Sequence, residues 1–146
     1  MKTRKILTIV LALILCLISF SGCGLKEEEY KLKINQIPEY KTLTRNPIKI
    51  RVEFTYVYLG EYEVSDAESI NTITSFLFDQ CYYGYNQMGD GRFGWRLYFT
   101  DHNGIETIVK LTVKYKTKYT YNLIYPTEFY KYLHDKGFEL GKLRVQ

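Results

Sequence analysis

In "RVEFTYVYLGEYEVSDAESINTITSFLFDQC", Arg51–Cys81, one periodicity gives way to another. Val52, Phe54, Tyr56 and Tyr58 take every second position with Glu53 and Thr55 between them, and Ile48 and Ile50 carry the alternation upstream. A period of two sets these apolar residues on one face of a half-buried strand. Gly60 interrupts before Tyr62 and Val64 resume, and a single strand over 48–64 would be unusually long. A hairpin or strong bulge is therefore expected near Leu59–Glu61. Ser65 and Glu68 then match the S-x-x-E capping box. Ile70, Ile73, Leu77, Phe78 and Cys81 follow at helical spacing, which predicts a helix from about 66 to 82 with one apolar stripe. A one-faced strand pair and a one-striped helix each need the other to cover them, which points to an α+β domain.

Downstream, "YYGYNQMGDGRFGW", residues 82–95, is the least regular segment. Past it Phe93, Trp95, Leu97 and Phe99 alternate, then "DHNG", then Val109, Leu111, Val113 and Tyr115. A three-residue loop of His102, Asn103 and Gly104 makes Asp101 oppose Ile105, and it sets Leu97, Trp95 and Phe93 opposite Val109, Leu111 and Val113. A two-residue loop would pair Leu97 with Lys110, so the face argument selects three residues, with Gly104 in the left-handed position. The same reasoning about Thr117 pairs Val113 with Tyr121 and Leu111 with Leu123, giving a meander over 93–125. Pro126 ends it, Phe129 and Leu133 lie one turn apart in a short helix, and Gly137 fits that helix's C-terminal cap with Phe138 against Leu133. The expected order is β-β-α-β-β-β-α: an antiparallel sheet of about five strands with one main helix on one face, in a single domain over 47–146.

The chain ahead of this domain is of a different kind. Met1–Lys5 is short and basic, and "ILTIVLALILCLISF", Ile6–Phe20, is apolar apart from Thr8 and Ser19. That run falls short of the roughly 20 residues a permanent membrane helix needs, and the two parts read as a signal peptide over 1–22. "Phe20-Ser21-Gly22-Cys23" resembles the lipobox of bacterial lipoproteins, with two small residues directly before a cysteine. The resemblance implies cleavage between Gly22 and Cys23. It also implies a diacylglyceryl thioether on Cys23, further acylation such as palmitate on the new N-terminus, and a cell-membrane location on the extracytoplasmic side. Two acyl chains suffice for stable anchoring where one does not. Residues 23–46, with "KEEEYKLK", Pro38 and Pro47 nearby, read as the lipidated N-terminus and a polar tether. Its span would be about 25 Å r.m.s. for about 20 flexible residues. Within it Tyr30, Leu32 and Ile34 alternate with lysines at the period of a short strand.

The formal charge of +4 shrinks once it is apportioned, because Lys2, Arg4 and Lys5 precede the cleavage point and none of the 16 acidic residues does. The mature chain is left at about +1, without the clustered basic face that nucleic acid demands. Of the 3 cysteines only Cys81 belongs to the domain, so no disulfide framework is expected. All 15 tyrosines lie after residue 29, a composition that favours strands with packed rings and wet hydroxyls.

Candidates for chemistry are few. His102 reads as a turn residue, and His134 as a last-turn residue favourable to the helix dipole. Neither stands in metal-ligand spacing with a cysteine or a second histidine. Cys81 lies on the apolar helix stripe, which favours a buried small hydrophobe over a nucleophile. Asn86, Asp90 and Gly91 occupy three calcium-loop positions, but Met88 and Leu97 fail two others. Lys110, Lys114, Lys116 and Lys118 among tyrosines mimic a nucleic-acid platform, yet alternating lysine on a solvated strand is commoner and guards its edge. Tyr82, Tyr83, Tyr85 and Trp95 are the candidate interaction surface, or else a cap on the open end of the core. The expectation is a non-enzymatic, membrane-anchored module without cofactor or metal that binds a protein, peptide or envelope component. An inhibitor or immunity-type lipoprotein working through an aromatic loop stands second, and a small hydrolase or thiol enzyme is a remote third.

Overall fold

The computed structural model describes residues 30–55, 59–85, 94–116 and 119–144. The expected signal peptide, Cys23, Tyr56, Tyr58, the calcium-like positions 86–91, Phe93 and Lys118 lie outside them.

The alternating stretch forms β2 (Lys49–Phe54) and β3 (Gly60–Val64), paired antiparallel with Val52 opposite Tyr62. Ile50, Val52, Phe54, Tyr62 and Val64 point into the core, as the period of two requires. On the outer face Lys49 meets Glu63 at 2.9 Å and Arg51 meets Glu61 at 3.2 Å. These are cross-strand pairs of modest value that keep that face soluble.

The helix α1 runs Ala67–Ser75 and continues as a wider π turn over Phe76–Gln80, closed by the Cys81 N–H donating to the Phe76 carbonyl at 3.1 Å. Its cap is Asp66, one residue later than the Ser65–Glu68 box predicts: the Asp66 carboxylate accepts from the Ser69 N–H at 2.8 Å. Ile70, Ile73, Leu77 and Cys81 are buried along the predicted stripe, whereas Phe78 is only partly covered.

The fold class is α+β, but the strands form two sheets rather than one. The additional strands are β1 (Lys31–Leu32), β4 (Tyr82–Tyr85), β5 (Trp95–Thr100), β6 (Glu106–Val109), β7 (Thr112–Tyr115) and β8 (Tyr119–Ile124). One antiparallel sheet has the order β3-β2-β5-β6 and the other β1-β4-β8-β7, four strands each. The β5–β6 hairpin has the predicted register, Leu97 opposite Val109. Its loop is the predicted one, with Gly104 at φ 78° and the Asp101 carboxylate accepting from the N–H groups of Asn103 and Ile105. Val113 opposes Tyr121, and Leu123 bonds to the Leu111 carbonyl at 2.7 Å, again as register predicts.

The expected pairing of Trp95 with Leu111 does not occur. β6 ends at Val109, and the chain then crosses into the other sheet to begin β7. The Lys110 peptide at this crossing is held by two tyrosines. Its carbonyl accepts from the Tyr83 hydroxyl, and its N–H donates to the Tyr40 hydroxyl at 3.0 Å.

The polar tether expected over 23–46 also requires correction from Tyr30 onward. Ile34, Ile37, Tyr40 and Leu43 recur at every third position, all are buried, and each of the last three donates its N–H to the carbonyl of the one before. An i to i+3 bond with three residues per turn is 3-10 geometry, which eclipses such side chains on one edge and drives that edge into the core. The folded domain therefore includes the described residues ahead of 47, back to Tyr30.

The second helix, α2 (Thr127–Glu139), is longer than expected, so His134 lies in its body and Gly137 within it rather than at its cap. Gly137 is needed for close approach: a Cβ there would lie 2.6 Å from Leu143 and 2.9 Å from the Tyr62 ring. The left-handed position after the helix is Gly141, φ 64°. Phe129 stacks on Phe76 at 5.1 Å and meets Trp95 edge-on at 5.6 Å, so α2 joins α1 to the β2-containing sheet in one continuous core.

Candidate functional site

The four aromatic residues proposed as a surface do not form one. Tyr83 and Trp95 are 0% and 1% exposed, and they sit in different sheets, on β4 and β5. Tyr83 stacks on Tyr40 at 6.1 Å, while Trp95 meets Tyr125 edge-on at 5.3 Å. Tyr85 is half-buried against Tyr119 and Tyr121, at 5.0 and 5.6 Å. The physical reason is the one that tyrosine abundance allows: broad rings fill the space between sheet and helix while hydroxyls tie down backbone at strand ends. An inhibitory aromatic loop built on Tyr83 and Trp95 is not what these residues make. Tyr82 is the one of the four that lines a basic concave surface.

That surface is an open groove of about 800 Å³ between the N-terminal segment and the end of α1. Three local features build it. β1 pairs with β4, Leu32 opposite Tyr83, and because Leu32 points inward its neighbours Lys31 and Lys33 point to solvent on the rim. The 3-10 segment buries its every-third stripe and so presents Asn35, Gln36 and Lys41 outward. Arg45 closes one end by gripping Asp79 of the π turn through two bonds, 2.7 and 3.2 Å, with its guanidinium 4.9 Å from the Phe78 ring centre.

The electrostatics follow from these contacts. Asp79 is held below the usual carboxylate range, chiefly by its hydrogen bonds from Arg45. Among the described residues it is the single carboxylate lining the groove, against Lys31, Lys33, Lys41 and Arg45. With Asp79 matched to Arg45, three ammonium groups remain over a floor that includes Leu43, Phe78 and Cys81. Lys31 lies 5.0 Å over the Tyr82 ring, which steadies its stem without neutralising its charge. An anion with some apolar body fits such a site.

Nucleophilic chemistry does not suit it. Burial pushes the Cys81 thiol up to about 12, so the reactive thiolate is scarce at neutral pH. His134 packs against Phe54, Tyr130 and Phe138 at 6.0, 5.8 and 4.6 Å, and His102 is exposed in the β5–β6 loop. Among the described residues no group of three or more His, Cys, Asp or Glu is gathered as metal ligands.

Comparison with protein-family models, with curated proteins and with solved structures finds no match to this chain. The reading of the groove therefore rests on its own residues. Sequence reasoning missed Lys31, Lys33, Lys41 and Arg45 as a set. The available signal was the three-residue spacing of Ile34, Ile37, Tyr40 and Leu43, which marks the segment carrying them as folded.

Proposed function

We propose that this protein is a lipid-anchored extracytoplasmic binding module whose lipidated first residue is Cys23 and whose ligand-facing surface is the basic groove. The observation that supports it is one of proximity. The fold includes Tyr30, so no more than Gly-Leu-Lys-Glu-Glu-Glu, residues 24–29, lies between the lipobox cysteine and the folded chain that leads into the rim of the groove. A link of this length has an r.m.s. span of about 14 Å if flexible and cannot exceed about 25 Å. The groove thus works close to its membrane, on ligands presented there, and not at the end of a long stalk.

A binding role also agrees with the site's chemistry: an open, cation-rimmed concavity with a protonated, buried thiol beneath it offers recognition rather than bond breaking. Replacement of Cys23 by Ala tests the anchor. Lipid labelling with a palmitate analogue and retention in the membrane fraction are both expected to disappear. Undiminished retention of an unlabelled Cys23→Ala chain would contradict the proposal and favour an uncleaved membrane helix over residues 6–20.

A further inference from the structure

Lys31, Lys33 and Lys41 are exposed, they line one groove, and the groove's carboxylate, Asp79, is already engaged by Arg45. We infer that this groove seats on the anionic phospholipid headgroups of the bilayer that carries Cys23, giving the domain a second membrane contact and a fixed orientation. The inference rests on the reading of Cys23 as the anchor, and it adds what the groove recognises: phosphate-bearing lipid.

Two independent observations converge on it. The first is charge complementarity. Ammonium groups are compact point charges suited to phosphate oxygens, and each one near an anionic surface shifts binding roughly fivefold, so three give on the order of 100-fold. The second is reach. The rim begins at Lys31, eight residues after Cys23, so it stays within about 28 Å of the anchor, near enough for the groove to reach the headgroup layer. The half-buried rings of Phe78 and Tyr82 at the same groove are of the type that settles at a membrane interface. Glu27, Glu28 and Glu29, between anchor and rim, carry the opposite charge to the lysines, so a test must separate lipid from the chain's own acidic segment.

The test uses the full acylated protein on phosphatidylcholine vesicles with or without phosphatidylglycerol, reading the rate at which an amine reagent labels each lysine. Flotation with neutral vesicles reports the anchor, and labelling reports the groove, so the two can fail separately. Lys31, Lys33 and Lys41 are expected to label at least tenfold more slowly on anionic than on neutral vesicles, with Lys131 and Lys142 unchanged and the protection abolished in about 1 M salt, where screening acts within about 3 Å. In the Lys31→Gln/Lys33→Gln variant, Lys41 remains as reporter and its protection is expected to fall to about fivefold or less. Both substitutions are at exposed positions, and an unchanged unfolding midpoint verifies the fold. Equal labelling on both vesicle types would overturn the inference. So would protection on neutral vesicles brought about by millimolar inorganic phosphate, which would make the groove a free-anion site. Protection on both vesicle types that vanishes when Glu27, Glu28 and Glu29 are changed to Gln would overturn it too, by assigning the groove to the chain's own acidic segment.

Discussion

The Tyr83 hydroxyl donates to the carbonyl of Lys110, 27 positions later, where the chain leaves one sheet for the other. The N–H of the same residue, Lys110, donates to the Tyr40 hydroxyl at 3.0 Å, and the two rings stack on each other. Burial raises the pKa of both hydroxyls, so they stay protonated across the physiological range. Tyr83→Phe leaves the Lys110 carbonyl short of this partner, and Tyr40→Phe does the same to the N–H. Each is expected to cost about 1–3 kcal/mol. Because both act on one residue's backbone, the double variant should cost less than the sum, a coupling that urea unfolding of the four-member cycle measures.

The 3-10 stripe offers a sharper contrast between a tether and a folded segment. Ile37 is 0% exposed, and Ile37→Ala is expected to destabilise the domain by about 2–5 kcal/mol. Substitution of a tether residue would change nothing. Chemical denaturation decides between them.

Gly137→Ala sets helix propensity against space. Alanine favours a helix interior by about 1 kcal/mol, but its Cβ would collide with Leu143 and Tyr62, and overpacking costs about 1–3 kcal/mol. Net destabilisation is expected. It should be relieved in Gly137→Ala/Leu143→Ala relative to the sum of the single changes, which a thermal melt of the set would reveal.

The Cys81 thiol gives a pH signature. Its folded pKa, about 12, lies above the unfolded value of about 8.5, so the unfolded chain releases its proton first. The contribution of this group to stability is therefore intact below about pH 8.5 and declines as pH rises toward 12. Cys81→Ala should flatten that alkaline loss while lowering stability at neutral pH through the lost packing. Alkylation of native Cys81 at neutral pH should run on the order of 1000-fold slower than in urea, from the thiolate fraction alone.

How much of this was legible in the sequence depends on whether a local period reports a global partner. β2, β3, the stripe of α1 and the Leu97–Val109 register were readable because one buried face imposes one period on each. The crossing at Lys110 was not, since Val109, Leu111 and Val113 keep alternating through it: β6 and β7 face one core from two sheets, so changing sheets leaves no mark on the pattern. β4 was hidden for another reason. In "YYGY" the inward residues are Tyr83 and Gly84, with half-buried tyrosines on either side, so neither polarity nor size alternates cleanly. The groove lysines were hidden for a related reason, because Lys31, Lys33 and Lys41 flank the 3-10 turns, whose polar residues outnumber their buried edge and read as a spacer until the interval of three is noticed.

Mass spectrometry of the N-terminal peptide from protein extracted out of native membranes tests the central claim most directly. The expected result is a peptide that begins at Cys23 and carries a diacylglyceryl group on its sulfur. A peptide that retains residues before Cys23, or that begins there with an unmodified thiol, would contradict it.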